Sequence, residues 1–234
     1  MKLIPILILF SSFSVSADSF QSTTTRTSLI ELYSSQGCSS CPPAERWVSN
    51  LLNHEKLWID FVPIVFHVDY WNQLGWRDPF SKPAYSERQR SYHQQRSISS
   101  VYTPGFILNG DEWRTWFLRR NIPNEAKNSQ VLHASLNEGQ LVVQYKSNQQ
   151  LILNAAILGF DIKTDINAGE NDGRSFTENF VVLSHHTSLS NNGKWQETLS
   201  KPTHINARKY ALAIWVNRPN NLTPLQVVGG WVKF

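Results

Sequence analysis

The chain has only two cysteines, Cys38 and Cys41, in the run Ser35-Gln36-Gly37-Cys38-Ser39-Ser40-Cys41-Pro42-Pro43. An apolar stretch, Leu29 to Tyr33, leads into the run, and a helix-compatible segment follows it. Strand, tight loop, C-x-x-C and helix start is an arrangement that yields a reactive dithiol. A helix N-terminus carries unpaired N–H groups and the positive end of the dipole. Cys38 is expected about at the cap, where that field favours its thiolate. Pro42 and Pro43 suit a first turn, whose amides have no partner inside the helix. Cys41, one turn on, is placed to resolve a mixed disulfide formed on Cys38.

Two other uses of the pair stand beside this one. As a staple it is weak, because closing so short a ring is worth roughly 2 kcal/mol, against about 4.7 kcal/mol for a 100-residue loop. As half of a zinc site it lacks a second C-x-x-C or an H-x-x-x-H to complete it. The expected cofactor is therefore none beyond the redox-active disulfide itself.

His67 closes a second apolar run, Phe61 to Val68. Strand ends in open α/β sheets face the ligand crevice. There His67 would raise the thiolate population as an imidazolium, shuttle a proton, or join Cys38 and Cys41 in a copper or zinc site. A hydrogen-bonded structural role is the alternative. Asp69, two residues on, shares a strand face with His67 and is a candidate to orient it. Tyr70, Trp71, Trp76 and Phe80 would line a groove or pack an inserted loop onto the core. Arg77 and Asp78 are read as a local pair, and Arg88 and Arg90 as a solvated helix face. His185 and His186 are adjacent, so strand geometry sends them to opposite faces. His93 and His133 have no supporting neighbours.

These residues need elements to hold them. Ser28 to Ser34 and Phe61 to Val68 read as strands, and Ala44 to Leu52 as a helix with Trp47, Val48, Leu51 and Leu52 on one face. Pro83 to Gln95 reads as a second helix, with Pro83 in its first turn. Val101 to Leu108 reads as a strand interrupted by Thr103-Pro104, a break explained by a cis proline at the strand start. Asn109-Gly110 signals a hairpin, and a short strand and helix are expected around Glu112 to Arg120. After Pro123 to Gln130, strands dominate: Leu132 to Leu136, Leu141 to Tyr145, Leu151 to Ile162, Phe176 to His185, Trp195 to Leu199, Tyr210 to Val216 and Leu225 to Phe234. That density fits a small antiparallel sandwich.

Lys2, the apolar run Leu3 to Phe10 and the small residues Val15-Ser16-Ala17 read as a secretory signal with cleavage near Ala17. The apolar run is too short to span a bilayer. A periplasmic or secreted, disulfide-permissive location follows. The formal charge of +4, which becomes +3 without Lys2, contains no basic run longer than Arg119-Arg120. Nucleic-acid binding and stable membrane insertion are not expected. Most of the nine Trp and twelve Phe are expected to pack cores.

Cys38-Ser39-Ser40-Cys41-Pro42, with a strand before and a helix after, resembles thioredoxin-fold proteins, and Thr103-Pro104 resembles their cis-proline element. The chain is still more similar to a family of secreted bacterial thioredoxin-like proteins catalogued as a domain of unknown function. Glu31 to Ala44, His67-Val68-Asp69-Tyr70-Trp71, Leu74 to Phe80, Arg88-Gln89-Arg90, Val101-Tyr102-Thr103-Pro104 and Gly169 to Arg174 carry that similarity. It implies the fold and export, and it supplies no activity. Gly37 in place of Trp, and Ser39-Ser40 in place of Gly-Pro, depart from ordinary thioredoxins. Glu31 lies one residue out of register with their buried acid and is a candidate proton acceptor on the strength of that resemblance. Pro104 would block close backbone or metal approach to the dithiol and, with Thr103, pair with extended substrate backbone.

The resulting expectation is an α/β thioredoxin-like domain (18–126), its mixed sheet flanked by helices, followed by an all-β sandwich-like domain (127–234), after a signal peptide (1–17). The expected activity is thiol-disulfide exchange with protein or small-molecule thiols and disulfides. Cys38, Cys41, Thr103, Pro104, Glu31 and His67 form the expected site. The alternatives are copper or zinc handling through Cys38, Cys41 and His67, and a non-enzymatic partner-binding role. The sequence leaves the oligomeric state open.

Overall fold

A computed structural model describes residues 17–118, 122–123, 126–205 and 207–234. Most of the expected signal segment and part of the stretch to Arg120 lie outside the described residues. In chain order the first half holds β1 (Asp18–Gln21), β2 (Ser28–Ser34), α1 (Pro42–Asn50), β3 (Phe61–His67), α2 (Pro83–Gln94), β4 (Gly105–Leu108) and β5 (Asp111–Glu112). The second half holds β6 (Leu132–Asn137), β7 (Gln140–Tyr145), β8 (Leu151–Phe160), β9 (Ile162–Asp165), β10 (Ser175–Glu178), β11 (Val181–Ser190), β12 (Lys194–Thr198), β13 (Lys209–Asn217) and β14 (Pro224–Val232).

The helix-flanked α/β thioredoxin-like fold expected from the sequence is overturned. Among the described residues the regular structure is mostly β-strand, in one large mixed sheet, a four-stranded antiparallel sheet and a two-stranded β9–β10 ribbon, with two short α-helices. The large sheet runs β14-β13-β8-β11-β3-β2-β4-β5. Its physical reason lies at β3. One edge of β3 pairs in parallel with β2. The other receives β11, also in parallel, with Val65 N donating to Phe180 O at 2.9 Å. A strand edge left open strands backbone donors and acceptors, and β11 satisfies them. From there β8, β13 and β14 extend the sheet antiparallel.

A β-sandwich is present, and it draws on both halves of the chain, since β1 joins its smaller sheet. The smaller sheet, β1-β6-β7-β12, covers one face of the large one. Alternation assigns the side chains. Leu151, Leu153, Ala155 and Ile157 of β8 enter the sandwich core with Leu212, Ile214 and Val216 of β13. Ala156, Leu158, Ala213 and Trp215 enter the second core on the opposite face, with β2, β3 and both helices. Burial on both faces explains why β8 and β13 read as near-continuous apolar runs. Strands cross the midpoint of the chain in both sheets: β1 pairs with β6, and β11 with β3.

Pro42 and Pro43 open α1, and Pro83 opens α2. Trp47 of α1 packs edge-on against Phe106, Trp113 and Trp116. The Asn109-Gly110 turn joins β4 to β5, with both residues at positive φ. No α-helix follows β5 among the described residues.

The second core holds a charged centre. Arg88, expected on a solvated face, is buried, and its guanidinium grips both Glu31 oxygens, at 2.8 and 3.0 Å. Tyr33 and Tyr92 donate their hydroxyls to the same carboxylate. The cation also lies over Phe66, Tyr92 and Trp215, 5.3 to 5.6 Å from each ring. Arg90 is exposed and pairs with Glu87. Removing one member of a buried pair leaves an uncompensated charge. Arg88→Ala is therefore expected to lower unfolding stability by about 3–5 kcal/mol in urea titrations, while Arg90→Ala shifts it by no more than about 0.5 kcal/mol. Equal effects would contradict this reading.

Candidate functional site

Cys38 and Cys41 form a disulfide, with Cα atoms 5.5 Å apart. Cys41, not Cys38, is the N-cap of α1. A short run of turns brings the chain there: Cys38 N donates to Ser35 O, and Cys41 N to Cys38 O. Cys38 lies on the preceding turn, with Ser40 Oγ 3.3 Å from its sulfur. Pro42 and Pro43 carry no N–H, so the first turn offers the sulfurs the field of the helix more than amide hydrogen bonds.

The disulfide is covered. Cys38 is 0% and Cys41 1% exposed. The cover comes from the far half of the chain, at the 3-10 turn Gly169–Asn171. Asn171 Nδ2 donates to Gln36 O at 2.8 Å and to Cys38 O at 3.0 Å. Glu170 accepts from Ser39 N at 3.1 Å, and Arg174 holds Asn171 Oδ1 at 2.9 Å.

Gln36 anchors the loop from within. It is fully buried. Its N–H donates to Asp78 Oδ2 (2.8 Å) and its Nε2 to Glu178 Oε2 (2.7 Å), while its Oε1 accepts from Trp76 Nε1 (3.0 Å). Gly37 is glycine because Trp71 crowds it: a Cβ there would lie 3.1 Å from Trp71 Cβ. Trp71 Nε1 in turn donates to Thr103 Oγ1 at 2.8 Å. The register of β2 against β4, Tyr33 opposite Gly105, carries the cis Thr103–Pro104 peptide to the same end of the sheet as the cysteine loop. A cavity of about 430 Å³ beside Pro104 is lined by Tyr102, Arg114, Trp116 and Phe117.

His67 sits opposite Ser34 at the end of β3 and is 1% exposed. Its Nδ1 meets Asp78 Oδ2 at 2.7 Å, and its Nε2 lies 3.8 Å from Glu178 Oε1. Burial opposes a charged imidazole, but the Asp78 carboxylate outweighs it, with Glu178 and Glu45 adding, and lifts the His67 pKa to about 9. Burial works against the Asp78 carboxylate as well, yet His67 and the amides of Gln36 and Phe80 hold it below the usual carboxylate range. Burial pushes Glu178 up to about 8, against the pull of His67. Burial also raises Glu45, which hydrogen-bonds Ser34.

The expected site residues divide into separate groups. Cys38 and Cys41 are bonded to each other, and Thr103 is tied to their loop through Trp71. Glu31 is held by Arg88, Tyr33 and Tyr92 in the second core. His67 joins carboxylates: the converging ligand atoms among the described residues belong to Glu45, His67 and Glu178, not to Cys38, Cys41 and His67. Asp78, read as a partner of Arg77, orients His67, while Asp69 pairs with Ser86. His185 and His186 do diverge, His185 stacking on Trp215 and His186 meeting Glu197. Gln36, Asp78, Asn171 and Glu178 were missed. Asp78 sits 11 residues beyond His67 and Glu178 in the other half of the chain, and no spacing rule joins them.

Fold and site together define a β-sandwich protein whose large mixed sheet carries a covered C-x-x-C disulfide at one end. The chain belongs to the family described as Protein of unknown function (DUF1223), whose model matches residues 29–217. Among solved structures it is similar to Protein AGR_C_4864 from Agrobacterium tumefaciens, at 22% identity and a TM-score of 0.58, over 88% of this chain and 93% of that one. It is also similar to HBP35 of Porphyromonas gingivalis, at 11% identity and a TM-score of 0.59, over 89% of this chain and 76% of that one. At these identities the likeness is one of fold. No curated protein matches the chain.

Asn171 closes the cover with two hydrogen bonds to loop carbonyls. Each is worth about 1 kcal/mol net. Asn171→Ala is expected to speed reduction of the disulfide by dithiothreitol on the order of tenfold, read by thiol alkylation against time. An unchanged rate would show that the turn does not gate the sulfurs.

Proposed function

We propose that this chain is an exported thiol-disulfide oxidoreductase that works through Cys38 and Cys41. The carrying observation is the disulfide between the N-cap of a helix and the turn before it, with a segment from the far half of the chain hydrogen-bonded across it. A buried staple between distant strands would constrain far more chain than this short ring does. The leader pattern before Ala17 supports export to an oxidising compartment.

In the oxidising direction a substrate thiolate attacks Cys38 Sγ. The Cys38–Cys41 bond breaks, Cys41 leaves as a thiolate, and a mixed disulfide forms on Cys38. A second substrate thiol attacks the substrate sulfur and releases Cys38. The substrate pair is oxidised and the protein dithiol reduced. The reverse sequence reduces a substrate disulfide, with Cys41 as the resolving thiol. Because both sulfurs are buried, each cycle requires the Gly169–Asn171 turn to lift. The cavity beside Pro104, with Phe117 65% exposed at its rim, would receive the substrate chain.

Cys41→Ser removes the resolving thiol. Expressed with its leader, this variant is expected to accumulate mixed disulfides on Cys38. They should collapse on reduction and be absent from Cys38→Ser/Cys41→Ser. If no mixed disulfide forms on Cys38, the exchange reading fails and an inert bridge in a partner-binding protein replaces it.

A further inference from the structure

His67 Nε2 and Glu178 Oε1 are both buried and both lack a hydrogen-bond partner. They face each other at 3.8 Å, beyond hydrogen-bond range. An unmatched buried polar atom costs about 1–3 kcal/mol. Their neighbours are already engaged. Asp78 takes His67 Nδ1, Gln36 and Thr164 take Glu178 Oε2, and Ser34 takes Glu45 Oε1. One ligand atom each from Glu45, His67 and Glu178 lies within 4.8 Å of the others.

We propose that Glu45, His67 and Glu178 form a binding site for a divalent first-row metal cation such as zinc, with Asp78 fixing the His67 ring from behind. This site is independent of the cysteines and goes beyond the exchange reaction.

The donor chemistry fits. One imidazole and two carboxylates suit zinc, manganese or iron(II) better than a soft ion that prefers thiolates. Ligands about 2.1 Å from a tetrahedral zinc lie about 3.4 Å apart, so His67 and Glu178 are already close to that spacing. A metal-bound histidine almost always gives its other ring nitrogen to a carboxylate or carbonyl, and Asp78 fills that role. Three protein ligands leave a fourth position for water or another donor. Glu45 lies part-buried in the first turn of α1. The ligands come from α1, β3 and β10, so rigid elements hold them in place.

The test uses the disulfide-intact chain, stripped with chelator, exchanged into clean buffer and titrated with zinc chloride alone by calorimetry. One zinc per chain is expected, and zinc should raise the melting temperature. Glu178→Gln, Glu45→Gln and His67→Gln should each weaken binding at least tenfold, and Asp78→Asn roughly 10–100-fold. Cys38→Ser/Cys41→Ser should bind as the parent does. Circular dichroism checks that each variant folds. If the buried changes unfold the chain, Glu45→Gln, on the part-exposed helix turn, decides. The proposal is overturned if neither zinc nor manganese binds stoichiometrically, if folded Glu45→Gln binds unchanged, or if the cysteine double variant loses the metal.

Discussion

Gln36 is fully buried and uses all four of its polar groups, and the cysteine loop is where it is because of them. Its amide binds Asp78, its side chain binds Glu178 and Trp76, and its carbonyl accepts from Asn171. A buried amide left unmatched at any of these points costs as much as several good contacts return. Three stretches far apart in sequence, around residues 36, 76–78 and 171–178, therefore have to arrive together before the loop can be buried. Glu178 reaches residue 36 from the end of β10, just before β11 pairs with β3. The arrangement at the disulfide is thus a consequence of the sheet's long-range pairing, not of the C-x-x-C motif alone.

The same pairing places two chemistries side by side without merging them. The sulfurs lie under the Gly169–Asn171 turn, held by Asn171 and Glu170. The carboxylates gather at His67, held by Asp78. Gln36 touches both groups, so a change in either is felt by the loop. The cover is the weaker of the two. Its bond from Ser39 to Glu170 is exposed and opens at low cost, leaving the two buried bonds of Asn171 as the hold on the loop, whereas the His67–Asp78 pair is sealed. Opening at the cover, with the sheet intact, is the motion that exchange chemistry requires.

Local elements were legible in the sequence where local physics sets them. The prolines opened α1 and α2, Asn109-Gly110 made its turn, and β2 and β3 formed near their expected ends. The interrupted strand at Thr103-Pro104 was also readable, since proline cannot donate to a ladder. The architecture was not. A strand–helix–strand pattern carries no signal that β11, more than a hundred residues on, will take the free edge of β3. The helix-flanked expectation failed there. Arg88 shows the same blindness at the level of one residue. Its helical spacing is compatible with solvent, and only Glu31, Phe66 and Trp215 arriving from three strands make it a buried cation. Asp78 and Glu178 were hidden for the same reason, while Cys38 and Cys41 were plain because adjacency in sequence suffices to join them.

The central claim is that the Cys38–Cys41 bond is in working exchange and not a permanent bridge. Its reduction potential, measured by equilibration with glutathione buffers on metal-free protein, tests this most directly. Exchanging dithiols lie between about −120 and −270 mV, and structural bridges below about −300 mV. The account requires a value in the first range, and its position there sets the favoured direction of electron flow. A value below about −300 mV would contradict it.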